Sequence, residues 1–483
     1  MKNNLKAVFA LLVFVLGGFV QAQESGEGLN VVIFIADDLG RNDIGPYGNR
    51  VVETPHLDQF AKEAVVFNQV FASSPTCAPS RASIHTGLMP FRHGAHANHT
   101  GIKTAVKTLP SYLKEEDYHV GFAGKLHLGP MEQYPFDLIE GTNVREPGHE
   151  NDGVLWTDLE LGPVDKWLDE ASNKKQPFVL VVNDHSPHVI WPEKAEYDPK
   201  DIDIPPFHID TEETRKSRAR YYTDITKMDN NVGELLESIK AHGLAENTIF
   251  IFTADQGPQW AFGKWNLYDY GMQVPLMVHW PGKTNKRIEN EELISLTDLL
   301  PTLVEISGGD APKSIDGKSF LGLLTGEKTT HRKTIYGSHT GDGTMNRSPM
   351  RMIRTKRYKY ILNLAPDQVY HTHMDKAKDH DGGRAYWDSW VEKSYGESPK
   401  AASVLWRYHN RPVEELYDIK RDPEERNNLA ANPHYKSIIK NFREQMETWR
   451  EGQNDTETGP YNPKKNKNTD NKHKKPVAPY IFK

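Results

Sequence analysis

The fold class that this sequence predicts is α/β, with a large, mainly parallel sheet between helices and a smaller antiparallel unit behind it. Short runs of consecutive apolar, β-branched residues recur along the first part of the chain, the pattern of strands buried on both faces. Helical periodicity separates several of them. After about Gly308 the pattern changes to paired short strands and a closing amphipathic helix.

Asn30-Val31-Val32-Ile33-Phe34-Ile35-Ala36 is the first such run, and it ends in Asp37-Asp38-Leu39-Gly40. Adjacent carboxylates at the end of a buried strand repel each other unless a cation lies between them, and a hard ion with oxygen ligands fits that place. Taken alone, the pair also fits a helix cap. Residues 54–65 predict a helix opened by Thr54-Pro55, with Leu57, Phe60, Ala61, Ala64 and Val65 on one side. Residues 79–83 predict the start of a helix whose N–H groups face an anion. Residues 120–124 read as a strand delivering Lys125 and His127, which point the same way on an extended segment. The runs 178–183 and 248–253 read as two further buried strands, leading to His188 and to Asp255-Gln256. Between them, 221–242 has Ile225, Met228, Val232, Leu235, Leu236 and Ile239 at helical spacing, and Gly243 stops it. Residues 274–279 form a fifth strand. Four strands thus end in ionisable or amide side chains, where open α/β sheets build their sites.

Behind these, 350–354 and 358–362 read as a hairpin, 415–419 as a strand and 435–449 as a helix. The expected organisation is a leader over 1–22, a catalytic α/β domain over 23–308, a smaller α+β subdomain over 309–461, and a Lys/Asn-rich disordered tail over 462–483. The leader has a basic start, an apolar run over 7–20 and small residues before Gln23. That run is shorter than the roughly 20 residues of a spanning helix, so a signal peptide is expected rather than a stable membrane anchor. Export to the periplasm or medium follows. A net charge of −7 supplies no basic field for nucleic acid.

Cys77 is the only cysteine, which excludes an internal disulfide. Most lone cysteines are small buried apolar residues. The surroundings of this one differ: Ser73-Ser74-Pro75-Thr76-Cys77-Ala78-Pro79-Ser80-Arg81-Ala82-Ser83 is rich in small polar residues and has no apolar periodicity. Cys-Xaa-Pro-Ser-Arg leading to Thr86-Gly87 resembles the signature of the type I sulfatases, in which the cysteine becomes formylglycine after translation. Further landmarks follow in that family's order: Asp37-Asp38, Gly124-Lys125-Leu126-His127, Ser186-Pro187-His188, Ala254-Asp255-Gln256-Gly257 and Glu415-Leu416-Tyr417-Asp418. Tyr336-Gly337-Ser338-His339, Ser348-Pro349-Met350-Arg351 and Gly263-Lys264-Trp265-Asn266-Leu267-Tyr268 are most similar to the sulfamidase (N-sulfoglucosamine sulfohydrolase) branch.

The resemblance implies an alkaline-phosphatase-like mixed sheet with a small C-terminal sheet. It implies a calcium ion held by Asp37, Asp38, Asp255 and Gln256 and touching the oxygen of the residue formed from Cys77. Gln256 departs from the family's commoner Asn. Arg81 and Lys125 would pair with the hydrated aldehyde and sulfate. His188 and Lys264 would bind sulfate and protonate the leaving group; His127 would take a proton from the hydrate. The implied partners are a sulfated glycan, with N-sulfated glucosamine or an algal O-sulfated polysaccharide such as ulvan as candidates, and a formylglycine-generating or anaerobic sulfatase-maturating enzyme. His96, His99, Trp260, His339 and Arg351 are candidates for a sugar pocket. Two other readings compete: a phosphatase or phosphodiesterase of the same superfold, and a non-enzymatic carbohydrate-binding relative that lacks catalytic groups.

Overall fold

The computed structural model describes residues 28–146, 149, 157–343, 346–376, 383–396 and 398–459. The expected leader over 1–22 and tail over 462–483 lie outside them. Among the described residues fourteen strands follow in chain order: β1 Asn30–Ala36, β2 Val65–Phe71, β3 His119–Gly124, β4 Asp137–Leu138, β5 Asn143–Arg145, β6 Thr157–Leu159 and β7 Phe178–Asn183. The rest are β8 Thr248–Ala254, β9 Gln273–His279, β10 Ile288–Ser295, β11 Ile335–His339, β12 Met350–Arg354, β13 Tyr358–Asn363 and β14 Glu414–Asp418.

Eight of them form one sheet in the order β10-β2-β9-β8-β1-β7-β3-β4. β8, β1, β7, β3 and β4 run parallel, and β9 alone runs against both its neighbours. Every residue of β1, β7 and β8 is buried, which is why their sequences are apolar throughout rather than alternating. Each buried Val, Ile or Phe there contributes roughly 1.5–3 kcal/mol. The second sheet is four-stranded and antiparallel, β11-β12-β13-β14. The helix Lys436–Gly452 covers it, packing Ile439, Phe442 and Met446 on Ile353, Tyr360 and Leu416.

Some expected elements shift. The helix expected over 54–65 stops at Phe60, passes through a 3-10 turn over Ala61–Glu63, and Val65 begins β2. Ala64 and Val65 are apolar because they enter the sheet, not because they continue a helical face. The helix expected from 79 starts at Cys77, and the one expected from 221 starts at Glu212, where the Thr211 side chain accepts from the Thr214 N–H. β10 and β11 were not expected. β10 is an edge strand whose acidic first half is largely exposed, so it carries no apolar run. The helices Arg384–Tyr395 and Pro399–His409 bury Tyr386, Trp387, Trp390 and Tyr408 in the core of the large sheet rather than that of the small one. Among the described residues no helix is long and apolar enough to cross a membrane.

Candidate active site

The strands that end in ionisable residues are neighbours. β8, β1, β7 and β3 lie side by side, and their backbone pairing continues beyond the strands: Asp255 N–H donates to the Ala36 carbonyl, Asp37 N–H to Ser186, and Lys125 N–H to Asn183. The register therefore sets Asp37, Asp255 and Lys125 in one row at the carboxyl edge. Consecutive residues on a strand face opposite ways, yet both Asp37 and Asp38 enter the site. Asp38 manages this by taking a left-handed backbone, φ 63°, held by its N–H donating to Asp255 Oδ1 at 3.1 Å.

Cys77 stands at the first position of the helix Cys77–Thr86. Pro79 fits the first turn, where a backbone N–H has no helical partner to lose, and Gly87 ends the helix with φ 64°. This entirely buried helix aims Cys77 and Arg81, one turn apart, at the ends of β1 and β8. Cys77 Sγ is 3.7 Å from Asp38 Oδ1 and 3.3 Å from Gln256 Nε2. Arg81 Nη2 bridges Asp37 Oδ1 at 3.0 Å and Asp255 Oδ2 at 2.9 Å. Its Nε and Nη1 are buried with no hydrogen-bond partner among the described residues. Lys125 pairs with Asp37, and Lys264 Nζ with Asp38 Oδ2 at 2.7 Å. His188 Nδ1 donates to the Val189 carbonyl, which fixes the ring and turns Nε2 toward Asp38 Oδ2 at 3.6 Å. Nine of the ten predicted residues, Asp37, Asp38, Cys77, Arg81, Lys125, His188, Asp255, Gln256 and Lys264, meet here. His127, with φ 42°, lies beside them and pairs its Nε2 with His99 Nδ1 at 3.0 Å.

Burial dominates the electrostatics. It would raise the Asp37 pKa, but Lys125 and Arg81 hold that group well below the usual carboxylate range. Burial raises Asp38 despite Lys264, and pushes Asp255 up to about 8, with Asp37 and Asp38 adding repulsion. Burial also drives the Cys77 thiol well above its ordinary pKa, with Asp37 and Asp38 adding to the rise, so the unmodified side chain is a neutral thiol and a poor nucleophile.

The donor set suits a hard divalent cation. Oxygens of Asp37, Asp38 and Asp255 lie within 4.8 Å of one another, all buried. Gln256 Oε1 is buried without a hydrogen-bond partner among the described residues, and turning that amide end for end sets the oxygen where its nitrogen now meets Asp38. With all three carboxylates ionised the charges of Arg81, Lys125 and Lys264 are balanced, and a balanced site offers a sulfate anion little; a divalent ion would both favour that ionisation and tip the balance positive. The two-metal phosphatase reading needs further histidine and carboxylate ligands at these strand ends. Arg81, Lys125 and Lys264 take the remaining sides of the carboxylates instead.

A family model described as Sulfatase matches residues 29–309, more than half of the chain. The chain belongs to the sulfatase family. A second model, N-sulphoglucosamine sulphohydrolase C-terminal, matches 257–389 of this sulfatase and puts it in the sulfamidase-like branch. It is 34% identical over 431 residues to an ulvan-active sulfatase of Formosa agariphila, covering 88% of this chain and 80% of that one. It is 28% identical over 465 residues to human N-sulphoglucosamine sulphohydrolase, covering 87% and 89%. A solved 2-O GAG sulfatase superposes with a TM-score of 0.67 at 21% identity, over 94% of this chain and 100% of that one, and shares the fold. The enzyme is a sulfuric ester hydrolase by family, and the non-enzymatic reading falls with it.

Three of the expected sugar-pocket residues are corrected. Trp260 is fully buried between Trp191 and Tyr386, with ring centroids 4.8 and 4.7 Å away, so it is core. His339 is buried, and Arg351 is buried in an ion pair with Asp455, Nε to Oδ2 at 2.5 Å. His96 stacks on Phe91 at 4.6 Å. Only His99 is both exposed and beside the site. Sequence reasoning missed Asp342, whose carboxylate accepts from Asn98 Nδ2 at 3.1 Å and Trp265 Nε1 at 3.0 Å. Two clefts of about 540 and 600 Å³ share none of the site's side chains; a cavity of about 30 Å³ adjoins Lys125 and His188.

Proposed function

We propose that this sulfatase removes sulfate from a sulfated glycan through a formylglycine formed at Cys77, with calcium held by Asp37, Asp38, Asp255 and Gln256. The observation that carries the reading is the meeting of one buried, unreactive thiol with three clustered carboxylates and an arginine whose remaining donors are unpaired among the described residues. A hydrated aldehyde supplies one hydroxyl to attack sulfur and a second whose deprotonation expels the sulfate. Bound calcium supplies positive charge for the nucleophile and for a sulfate oxygen.

The chain's own groups do the rest. Arg81 anchors Asp37 and Asp255 and offers its free N–H groups to anionic oxygens. Lys125 and Lys264 hold sulfate oxygens from two sides while pairing with Asp37 and Asp38. Lys264 gives a proton to the departing oxygen or nitrogen, and His188, steered by Val189 and held neutral by burial and by Lys264 and Lys125, can do so once it has taken up a proton at Nε2. His127, neutral because burial and His99 lower its pKa well below the ordinary value, accepts a proton from the second hydroxyl.

The ulvan-active relative supports O-sulfate of an algal polysaccharide, and the C-terminal match over 257–389 supports N-sulfated glucosamine. Export through residues 1–22 and maturation by a formylglycine-generating or anaerobic sulfatase-maturating enzyme belong to the same proposal. Sulfate release across ulvan fragments, N-sulfated and O-sulfated glucosaminides and a phosphate ester, with Cys77→Ala beside the wild type, tests it. Release from one sulfated class, lost in Cys77→Ala, is the expected result. Hydrolysis of the phosphate ester alone, or a fully active Cys77→Ala, would overturn it.

A further inference from the structure

We propose that His99 and Asp342 are positioning residues for His127, forming an Asp–His–His line that leaves one nitrogen of His127 free to take a proton. The idea rests on the role assigned above to His127. The geometry itself is independent of that role. His127 Nε2 is 3.0 Å from His99 Nδ1, and the far side of that ring, His99 Nε2, is 3.4 Å from Asp342 Oδ1. The other nitrogen of the catalytic ring, His127 Nδ1, is buried with no hydrogen-bond partner among the described residues.

The carboxylate decides how the protons are arranged. Asp342 is buried, and its second oxygen accepts from Asn98 Nδ2 and Trp265 Nε1. Burial alone would favour the neutral acid, but His99 and His373 hold Asp342 below the ordinary carboxylate range. Two groups face His99 Nε2: the neutral amide of Asn98, with Nδ2 at 3.3 Å, and the carboxylate of Asp342, with Oδ1 at 3.4 Å; the anion carries the full charge, and it favours the tautomer with the N–H on Nε2. His99 Nδ1 is then an acceptor, so His127 Nε2 must donate to it, and the lone pair of His127 is left on Nδ1. A proton arriving from the reacting group binds at Nδ1, while the Nε2 proton stays on the ring. The imidazolium so formed donates to His99 and gains from the Asp342 charge beyond it. No proton travels along the line.

The line is fastened to the nucleophile's own helix. Asn98 Oδ1 accepts from the Ala78 N–H, the residue after Cys77, while Asn98 Nδ2 donates to Asp342. The Asn98 and Asp342 backbones are bridged as well. The first turn of the Cys77 helix and the end of the His127 line are thus held to one point, as a proton transfer between them requires. His99 itself has 61% of its side chain exposed, so it has little part in the core.

The test uses matured enzyme carrying His99→Ala, His99→Asn or Asp342→Asn, assayed on a small sulfate ester across pH, with unfolding temperatures measured alongside. Both His99→Ala and Asp342→Asn are expected to lower kcat by about ten- to a hundredfold, within the usual span of proton-transfer catalysis, with KM changed less than about twofold. His99→Asn places an acceptor near the former Nδ1 and recovers part of the loss. The groups bearing on His127 are Lys125 and Arg81, which disfavour its protonation, Asp37, which favours it, and His99. With Asp342 neutralised, the acidic limb of kcat moves to lower pH, because the imidazolium has lost its counter-charge. Unchanged kcat in His99→Ala, an effect confined to KM, or an unmoved acidic limb would each overturn the proposal. His127→Ala serves as the control: if it too is fully active, the role given to His127 has failed; if it is inactive while His99→Ala is normal, only the line has failed.

Discussion

Two buried ion networks of similar make-up sit in this molecule, and they are built for different ends. One joins Asp37, Asp38 and Asp255 to Arg81, Lys125 and Lys264 at the edge of the large sheet. The other joins Asp269 and Glu425 to Arg354 on β12 and Lys359 on β13, and ties the small sheet to the large one. In the second, burial would raise Asp269, but Arg354 and Lys359 bring it down to about 2, a carboxylate surrounded by what it needs. In the first, Asp255 is pushed up to about 8 because burial and the neighbouring carboxylates outweigh Arg81. Like charges are crowded at the strand ends, and a further cation is what that crowding accommodates. Within the clamp Asp269 is satisfied by its own cations, while burial and Asp269 push Glu425 beside it up to about 7; the site, in the function proposed above, is completed by something it binds.

The largest expected contrast is in activity. Cys77→Ala or Cys77→Ser removes turnover by at least about three orders of magnitude, as loss of a covalent nucleophile does. The unfolding temperature stays close to that of the wild type, and steady-state kinetics beside calorimetry check both. Chelation comes next: exhaustive removal of divalent ions lowers the rate by about a hundredfold or more, and added calcium restores it. Calcium at about 100 times its Kd also stabilises the fold by roughly 2.7 kcal/mol, read as a rise in unfolding temperature that Asp255→Asn loses.

The clamp responds in the opposite sense. Asp269→Asn leaves Arg354 and Lys359 short of a buried counter-charge and costs about 3–5 kcal/mol in denaturant unfolding. Its kcat per folded molecule stays within about twofold. Because the folded-state pKa of about 2 lies below the ordinary 3.8, the Asp269 contribution is complete above about pH 4 and fades as pH falls toward 2. The difference between wild type and Asp269→Asn therefore shrinks over that window.

How much of this was legible in the sequence depends on distance along the chain. β1, β7 and β8 could be read because strands buried on both faces are apolar without a break. Their polar ends could be read because the edge of a parallel sheet is where such residues gather. Ala64 and Val65 misled because apolar spacing continues smoothly from a short helix into β2. β10 escaped because an exposed edge strand has no reason to be apolar. Trp260, His339 and Arg351 misled differently: residue types that suit a sugar were here filling the core, and burial is not written in residue type. The Asp342–His99–His127 line could not be read at all, since residues more than two hundred positions apart meet only through the fold.

The most direct test of the central claim is mass spectrometry of the peptide containing Cys77, from protein made together with a maturation enzyme and isolated intact. The account predicts an aldehyde in place of the thiol, in proportion to specific activity across preparations. A fully active enzyme whose Cys77 peptide carries only the unmodified thiol would contradict it.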